Sequence, residues 1–214
     1  MKKHILCFGD SNTHGRCPEP SESADRGERY NENERWTCLL QKALGEDYLV
    51  LENGVNGRTT AFSDPFRPYI SGLSVIEAEL MAHRPLDLLV VMLGTNDVKE
   101  RYGMSAQCIG FGLEKLCFTA SVTDAWSERG PNILVIAPPH LDEEIITDPT
   151  MGAGCAEKSR LLAGVYEEIC KKHGWHFMDA EGLVSFSKAD YCHMSARDHR
   201  IFAEKLTGLV PTLI

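Results

Sequence analysis

The sequence predicts a three-layer α/β/α sandwich built on a five-stranded parallel sheet. The prediction rests on short apolar runs rich in Val, Ile and Leu, helix-spaced stretches between them, and turn residues at their boundaries. Strands alternating with helices need crossover connections, and these lay helices on both faces of a parallel sheet.

In chain order, His4–Phe8 is the first strand, stopped by Gly9-Asp10. Arg16–Glu34, polar and carrying Pro18 and Pro20, resists regular structure, and Trp36–Leu44 follows with helical spacing. Tyr48–Leu51 is the second strand, Val75–Ala82 a helix, and Leu86–Leu93 the third strand. A long helix is expected around Ile109–Ser127 and the fourth strand at Ile133–Ala137. His140–Gly154, acidic with Gly152 and Gly154, is again irregular. Ala156–His173 reads as a helix, Trp175–Met178 as the fifth strand and Arg197–Leu209 as the last helix. Both irregular segments follow predicted strands and either frame a pocket or are ordinary surface loops.

At 214 residues the chain is long enough to bury one sizeable core, and one domain over residues 1–214 is expected. Hydrophobic residues make up 43% and charged residues 25%, the balance of a globular protein. With 22 Lys and Arg against 31 Asp and Glu, the net charge of −9 disfavours nucleic acid and anionic lipid as partners. The apolar run after Met1-Lys2-Lys3 breaks at Gly9-Asp10, too soon for a signal-peptide core. No stretch approaches the ~20 apolar residues of a membrane span. The expected location is the cytoplasm. There the eight cysteines, which are scattered and form no C-x-x-C pair, read as free thiols.

Candidate chemistry lies at the predicted strand ends. After the first strand, Gly9-Asp10-Ser11-Asn12-Thr13-His14-Gly15 places a serine hydroxyl at the carboxyl edge of the sheet, where ligands bind in such folds. A serine becomes a useful nucleophile only with a base to take its proton and donors to hold the oxyanion. Asn96, in Gly94-Thr95-Asn96-Asp97 after the third strand, is a candidate donor, and Gly57, in the loop after the second, can expose its backbone N–H. Before the last helix, Asp190-Tyr191-Cys192-His193 sets a carboxylate three residues ahead of an imidazole. That spacing lets Asp190 accept a hydrogen bond from the Nδ1–H and leaves Nε2 free to act as base.

Taken singly, these residues also fit simpler roles: Ser11 as an N-cap, Asp190 as a cap near the last helix, Asn96 and Asp97 as turn formers. Those roles do not explain their joint placement. Asp10 and Asp97 read as structural supports. Cys192 reads as a packed thiol, and the spacing of Cys192, His193 and His199 fits no common zinc pattern.

Gly9-Asp10-Ser11, Gly57, Gly94-Thr95-Asn96-Asp97 and Asp190-x-x-His193 resemble the four blocks of the SGNH/GDSL hydrolases, in the family's order and over nearly the whole chain. Arg35-Trp36-Thr37 and Arg58-Thr59-Thr60 are similar to its arylesterase and acyltransferase members. The resemblance implies a flavodoxin-like fold, Ser11 as nucleophile, His193 as base and Asp190 as its partner. It further implies an oxyanion hole from the Ser11 and Gly57 N–H groups and the Asn96 side chain, with no cofactor and no metal. Trp36 is then either core at the start of its helix or a wall of the substrate pocket, and the resemblance favours the pocket; a homo-oligomer is expected. Asn12 stands where many members have leucine and is expected in the substrate pocket; Tyr191-Cys192 replaces a pair that often contains glycine.

The implied function is hydrolysis of small acetyl or short-acyl esters, or acyl transfer from them. Deacetylation of a carbohydrate or other natural product is an alternative within the same chemistry. From another class, a Gly/Ser/Thr-rich loop after the first strand can cradle flavin or phosphate without catalysis, a reading that leaves Asp190-x-x-His193 unused.

Overall fold

The computed structural model describes residues 2–19, 24–25 and 28–214; Met1 and Pro20 lie outside the described residues. In chain order the elements are β1 (Lys3–Gly9), α1 (Ser11–His14), β2 (Ala24–Asp25), β3 (Arg29–Tyr30), α2 (Trp36–Leu44) and β4 (Tyr48–Gly54). They continue as α3 (Gly72–His83), β5 (Leu88–Met92), α4 (Ala106–Val122), β6 (Ile133–Ala137), α5 (Cys155–His173), β7 (His176–Asp179) and α6 (Ala196–Leu209). The sheet is parallel and five-stranded, in the order β4-β1-β5-β6-β7, and helices cover both faces.

The period-2 alternation of each strand divides the core in two. Leu6 and Phe8 of β1, with Leu89 and Val91 of β5, face α3, α4 and α5 through residues such as Ile76, Leu113 and Tyr166. Ile5 and Cys7, with Leu88 and Val90, face α2 and α6, where Trp36 and Phe202 meet edge to face at 5.1 Å. All of these side chains are buried, each removing apolar surface worth about 1.5–3 kcal/mol for a residue of Leu or Phe size.

Several boundaries differ from the expected ones for identifiable reasons. The third strand is shorter than Leu86–Leu93: Leu86 leaves the sheet to bridge Trp126, and the Leu93 carbonyl accepts from the Tyr166 hydroxyl (3.2 Å). The long helix begins at Ala106, before Ile109, because the Ser105 hydroxyl caps it by accepting from Cys108 N (3.2 Å). It stops at Val122, short of Ser127, where Trp126 Nε1 donates back to the Ala120 carbonyl (3.0 Å). The last helix is capped by Ser195, which accepts from Asp198 N; Asp190 does not cap it.

The irregular segments carry some local order. Part of Arg16–Glu34 forms the antiparallel pair β2 and β3, and Glu143–Thr147 forms a 3-10 turn. All eight cysteines are free. Among the described residues no helix is long and apolar enough to cross a membrane. The topology also positions the site: β1 lies between β4 and β5, so the loops that leave the carboxyl ends of these three strands converge at the point where strand order reverses.

Candidate active site

At the end of β1, Asp10 caps α1, its carboxylate accepting from Asn12 N (2.9 Å), and Gly15 ends the helix in the left-handed region at φ 86°. Ser11 is therefore the first helical residue and not the cap. The turn is pressed onto the strands beneath it. A Cβ on Gly54 of β4 would stand 2.1 Å from the backbone nitrogen of His14, so no side chain fits there.

The His193 imidazole approaches from the loop before α6. His193 Nε2 lies 2.9 Å from Ser11 Oγ, and His193 Nδ1 lies 2.6 Å from Asp190 Oδ2. The other carboxylate oxygen of Asp190 accepts from Cys192 N (3.1 Å) and His193 N (3.0 Å), so one side chain both shapes the turn and orients the ring. Burial pushes the Asp190 carboxyl up, but the hydrogen bond and charge interaction with His193 and the two turn N–H bonds outweigh it and leave its pKa below the ordinary value. Tyr191 holds φ at 57°, a left-handed conformation that glycine adopts without strain and other residues rarely take.

Facing the serine is a set of donors. Neither the Ser11 nor the Gly57 backbone N–H has a hydrogen-bond acceptor among the described residues, and both residues line the cleft. Asn96 lines it too, its amide donating to the Arg58 carbonyl (3.2 Å) and, at a weak 3.4 Å, toward Asp10. Lys99 Nζ donates to Asn96 Oδ1 (2.8 Å) and so fixes which way the amide faces.

Beneath this layer, the buried Arg58 guanidinium donates to the Gly9 (3.1 Å) and Asn53 (2.6 Å) carbonyls and ties the ends of β1 and β4 together. Burial lowers its pKa to about 10. Asp97 accepts from Thr60 N (2.8 Å) and the Thr60 hydroxyl (2.6 Å), which clamps the loop after β5 to the loop after β4. Both Asp10 and Asp97 thus sit in supporting positions.

Two expected pocket residues lie elsewhere. Trp36 is fully buried in the packing of α2 against α6, and its Nε1 donates to the Asn12 carbonyl (3.2 Å). Asn12 is also buried: its amide donates to the Cys192 carbonyl (3.0 Å), and its Oδ1 accepts from Met194 N (3.0 Å). It grips the chain on either side of His193 and does not line the cleft. Leucine at this position has no polar atoms with which to make that grip.

The cleft of about 340 Å³ over Ser11 is bordered by both irregular segments, through Arg16 from one and Asp148, Thr150 and Met151 from the other. Lys99, Arg67 and Asn56, none of them a candidate from the sequence, also border it. Lys99 carried a signal, standing three residues after Asn96 in the same loop. Arg67 carried none.

Cys192 lines the cleft with Sγ 3.4 Å from His193 Nδ1. Burial, and secondarily the Asp190 charge, push its thiol far above the ordinary range, which is unfavourable for a nucleophile. Asp190, Cys192 and His193 offer ligand atoms within 4.8 Å of one another, but both ring nitrogens of His193 are already engaged by Asp190 and Ser11. His199 takes no part: it is buried with Nδ1 accepting from Trp36 N (3.3 Å), and burial lowers its pKa to about 3.

This arrangement is similar to that of known proteins. Residues 7–201 match the family model of the GDSL-like lipase/acylhydrolase family. Among solved structures, the inhibitor-bound M. smegmatis aryl esterase is 32% identical over 99% of this chain and 100% of its own, with a TM-score of 0.87. A carbohydrate acetylesterase from Sinorhizobium meliloti is 31% identical over 100% of both chains, also with a TM-score of 0.87. A putative arylesterase from Agrobacterium tumefaciens is 31% identical over 99% of this chain and 100% of its own, with a TM-score of 0.86. No curated protein sequence matches. With the family model spanning most of the chain and relatives above 30% identity aligned end to end, the chain belongs to the GDSL-like lipase/acylhydrolase family, the SGNH hydrolases.

Proposed function

We propose that this carboxylic ester hydrolase cleaves small acetyl or short-acyl esters through an acyl-enzyme on Ser11. The observation that carries the reading is the unbroken chain of contacts from Ser11 Oγ to His193 Nε2 (2.9 Å) and from His193 Nδ1 to Asp190 Oδ2 (2.6 Å). Asp190 holds the Nδ1 proton, leaving Nε2 as acceptor. Ser11 Oγ attacks the ester carbonyl carbon while its proton passes to Nε2, and the carbonyl π electrons become an oxyanion. The Ser11 and Gly57 N–H groups, without an acceptor among the described residues, and the Asn96 amide stand ready to bind that charge. The long contact from Asn96 to Asp10 is the weaker of its amide's bonds, and an oxyanion can take over that hydrogen. Collapse breaks the C–O bond, and His193 returns its proton to the departing alcohol. Water then repeats the sequence on the acyl-enzyme, and an alcohol in its place gives acyl transfer.

Aryl esterases and a carbohydrate acetylesterase among the similar structures favour acetyl esters with an aryl or sugar alcohol.

The test is hydrolysis of p-nitrophenyl acetate by the wild type and by Ser11→Ala, with mass spectrometry after a serine-directed fluorophosphonate. Turnover and an adduct on Ser11, both lost in the variant, support the reading. A folded wild type that neither hydrolyses nor labels refutes it. Acetylated sugars run beside aryl acetates, and alcohol included as a competing acceptor, then separate deacetylase, arylesterase and transferase behaviour.

A further inference from the structure

The cleft over Ser11 is cationic in a chain that is acidic as a whole. Arg16, Arg67 and Lys99 line it against the single carboxylate of Asp148, while the net charge of the chain is −9. A cleft lined by one sign of charge concentrates ligands of the opposite sign. Two of the three cations already have partners: Arg16 pairs with Glu28 at 3.0 Å, and Lys99 is bound to Asn96 Oδ1 at 2.8 Å. The Arg67 guanidinium has neither a carboxylate nor a hydrogen-bond acceptor among the described residues.

Arg67 is presented by a built turn. Asp64, almost fully buried, accepts from Phe66 N (2.9 Å) and the Tyr102 hydroxyl (2.8 Å), and its backbone carbonyl accepts from Arg67 N (3.0 Å). Arg101 closes an ion pair on the same carboxylate. The turn directs Arg67 over an oxyanion donor: its Nη1 lies 3.4 Å from the point where a Cβ on Gly57 would stand. A planar guanidinium binds a carboxylate through two parallel N–H bonds. Asp148 in the same cleft opposes a dianion more than a monoanion, which favours a carboxylate over a phosphate monoester.

We infer that the preferred substrate is a small ester bearing a free carboxylate, which the Arg67 guanidinium binds on the Gly57 side of the cleft. This rests on the serine-esterase reading. The carboxylate sits either on the alcohol or on the acyl portion of the ester, and the test treats the two as separate arms.

The wild type, Arg67→Gln and Arg67→Lys are assayed at low ionic strength on two matched pairs. One is 4-acetoxybenzoate against its methyl ester, with the charge on the alcohol side; the other is monomethyl glutarate against dimethyl glutarate, with the charge on the acyl side. The readout is the anion-to-neutral ratio of kcat/KM, compared between proteins so that differences in leaving group cancel. In one of the pairs the wild-type ratio is expected to exceed that of Arg67→Gln by about tenfold, the size of one charge-assisted interaction. Arg67→Lys should retain part of it, and 0.5 M salt should shrink it.

A wild type that hydrolyses the neutral esters but shows no anion preference in either pair overturns the inference and leaves the esterase reading standing. A preference that survives in Arg67→Gln overturns the assignment to Arg67. If neither these esters nor p-nitrophenyl acetate is hydrolysed and no fluorophosphonate adduct forms, both readings fall.

Discussion

Replacing Asp190 by Asn tests the proton relay with almost no change of shape. One carboxylate oxygen accepts two backbone N–H bonds, from Cys192 (3.1 Å) and His193 (3.0 Å), and the other faces His193 Nδ1 at 2.6 Å. An asparagine has one acceptor oxygen to divide between these places. Turned with its NH2 toward the backbone, it leaves two N–H groups without acceptors at about 1–3 kcal/mol each. Turned with its oxygen there, it keeps the turn and presents NH2 to Nδ1, which must then become an acceptor. The second orientation wins.

The imidazole proton consequently moves to Nε2, which faces Ser11 Oγ as a donor and can no longer take its proton. A wrong tautomer of this kind lowers kcat by about 10⁴-fold in a serine protease, or about 5.5 kcal/mol of transition-state stabilisation. We expect a loss of about three to four orders of magnitude in kcat for p-nitrophenyl acetate, with circular dichroism unchanged. A folded Asp190→Asn protein with kcat within about tenfold of the wild type would refute the relay and reduce Asp190 to a turn former.

Three further outcomes follow from the same contacts. Asn12→Leu removes the buried bonds to the Cys192 carbonyl and Met194 N, and should lower unfolding stability by about 2–4 kcal/mol and kcat by about tenfold with KM less affected. An unchanged kcat in urea-verified folded protein would show that His193 is held without Asn12. Gly54→Ala drives a Cβ to 2.1 Å from His14 N, backbone that yields only if α1 shifts, so stability should fall by about 3 kcal/mol or more and activity with it. A melting temperature and turnover like those of the wild type would contradict this packing. Asp97, raised from 3.8 to about 7 by burial foremost and by the Asp10 charge, against the opposing bonds from Thr60, prefers to stay protonated in the folded state. Its stabilising contribution is complete below about pH 3.8 and is lost as pH rises through about 7. Urea midpoints should therefore fall between pH 5 and pH 8, less so in Asp97→Asn; an equal fall in both proteins would assign the effect to other groups.

Much of this architecture was written in local pattern. Val- and Ile-rich runs bounded by turn residues marked the strands, and the limits of Trp36–Leu44 and Ile133–Ala137 agreed with the structure to the residue. Element ends were less legible where a distant partner set them: Leu86 left its strand for Trp126, and Ser105 started a helix ahead of its first large apolar residue. The Ser11, Gly57, Asn96 and His193 blocks could be read because each follows a strand or precedes a helix, and the parallel fold collects such positions at one edge.

Local pattern leaves the partners of Asn12 and Trp36 open for the same reason that it does not single out Arg67 and Lys99. Composition says that a side chain can hydrogen-bond or pack, not which partner lies within reach. Asn12 finds its partners 180 and 182 residues away, at Cys192 and Met194. The sequence by itself determined the element types and the chemistry available at each strand end, because periodicity and turn formation are properties of neighbouring residues. Only the tertiary structure decided that Asn12 grips the chain around His193, that Trp36 is core and that the Arg67 guanidinium, without an acceptor among the described residues, overlooks Gly57. Those outcomes depend on strand order and on contacts between residues far apart in the chain, whose closeness no local pattern encodes.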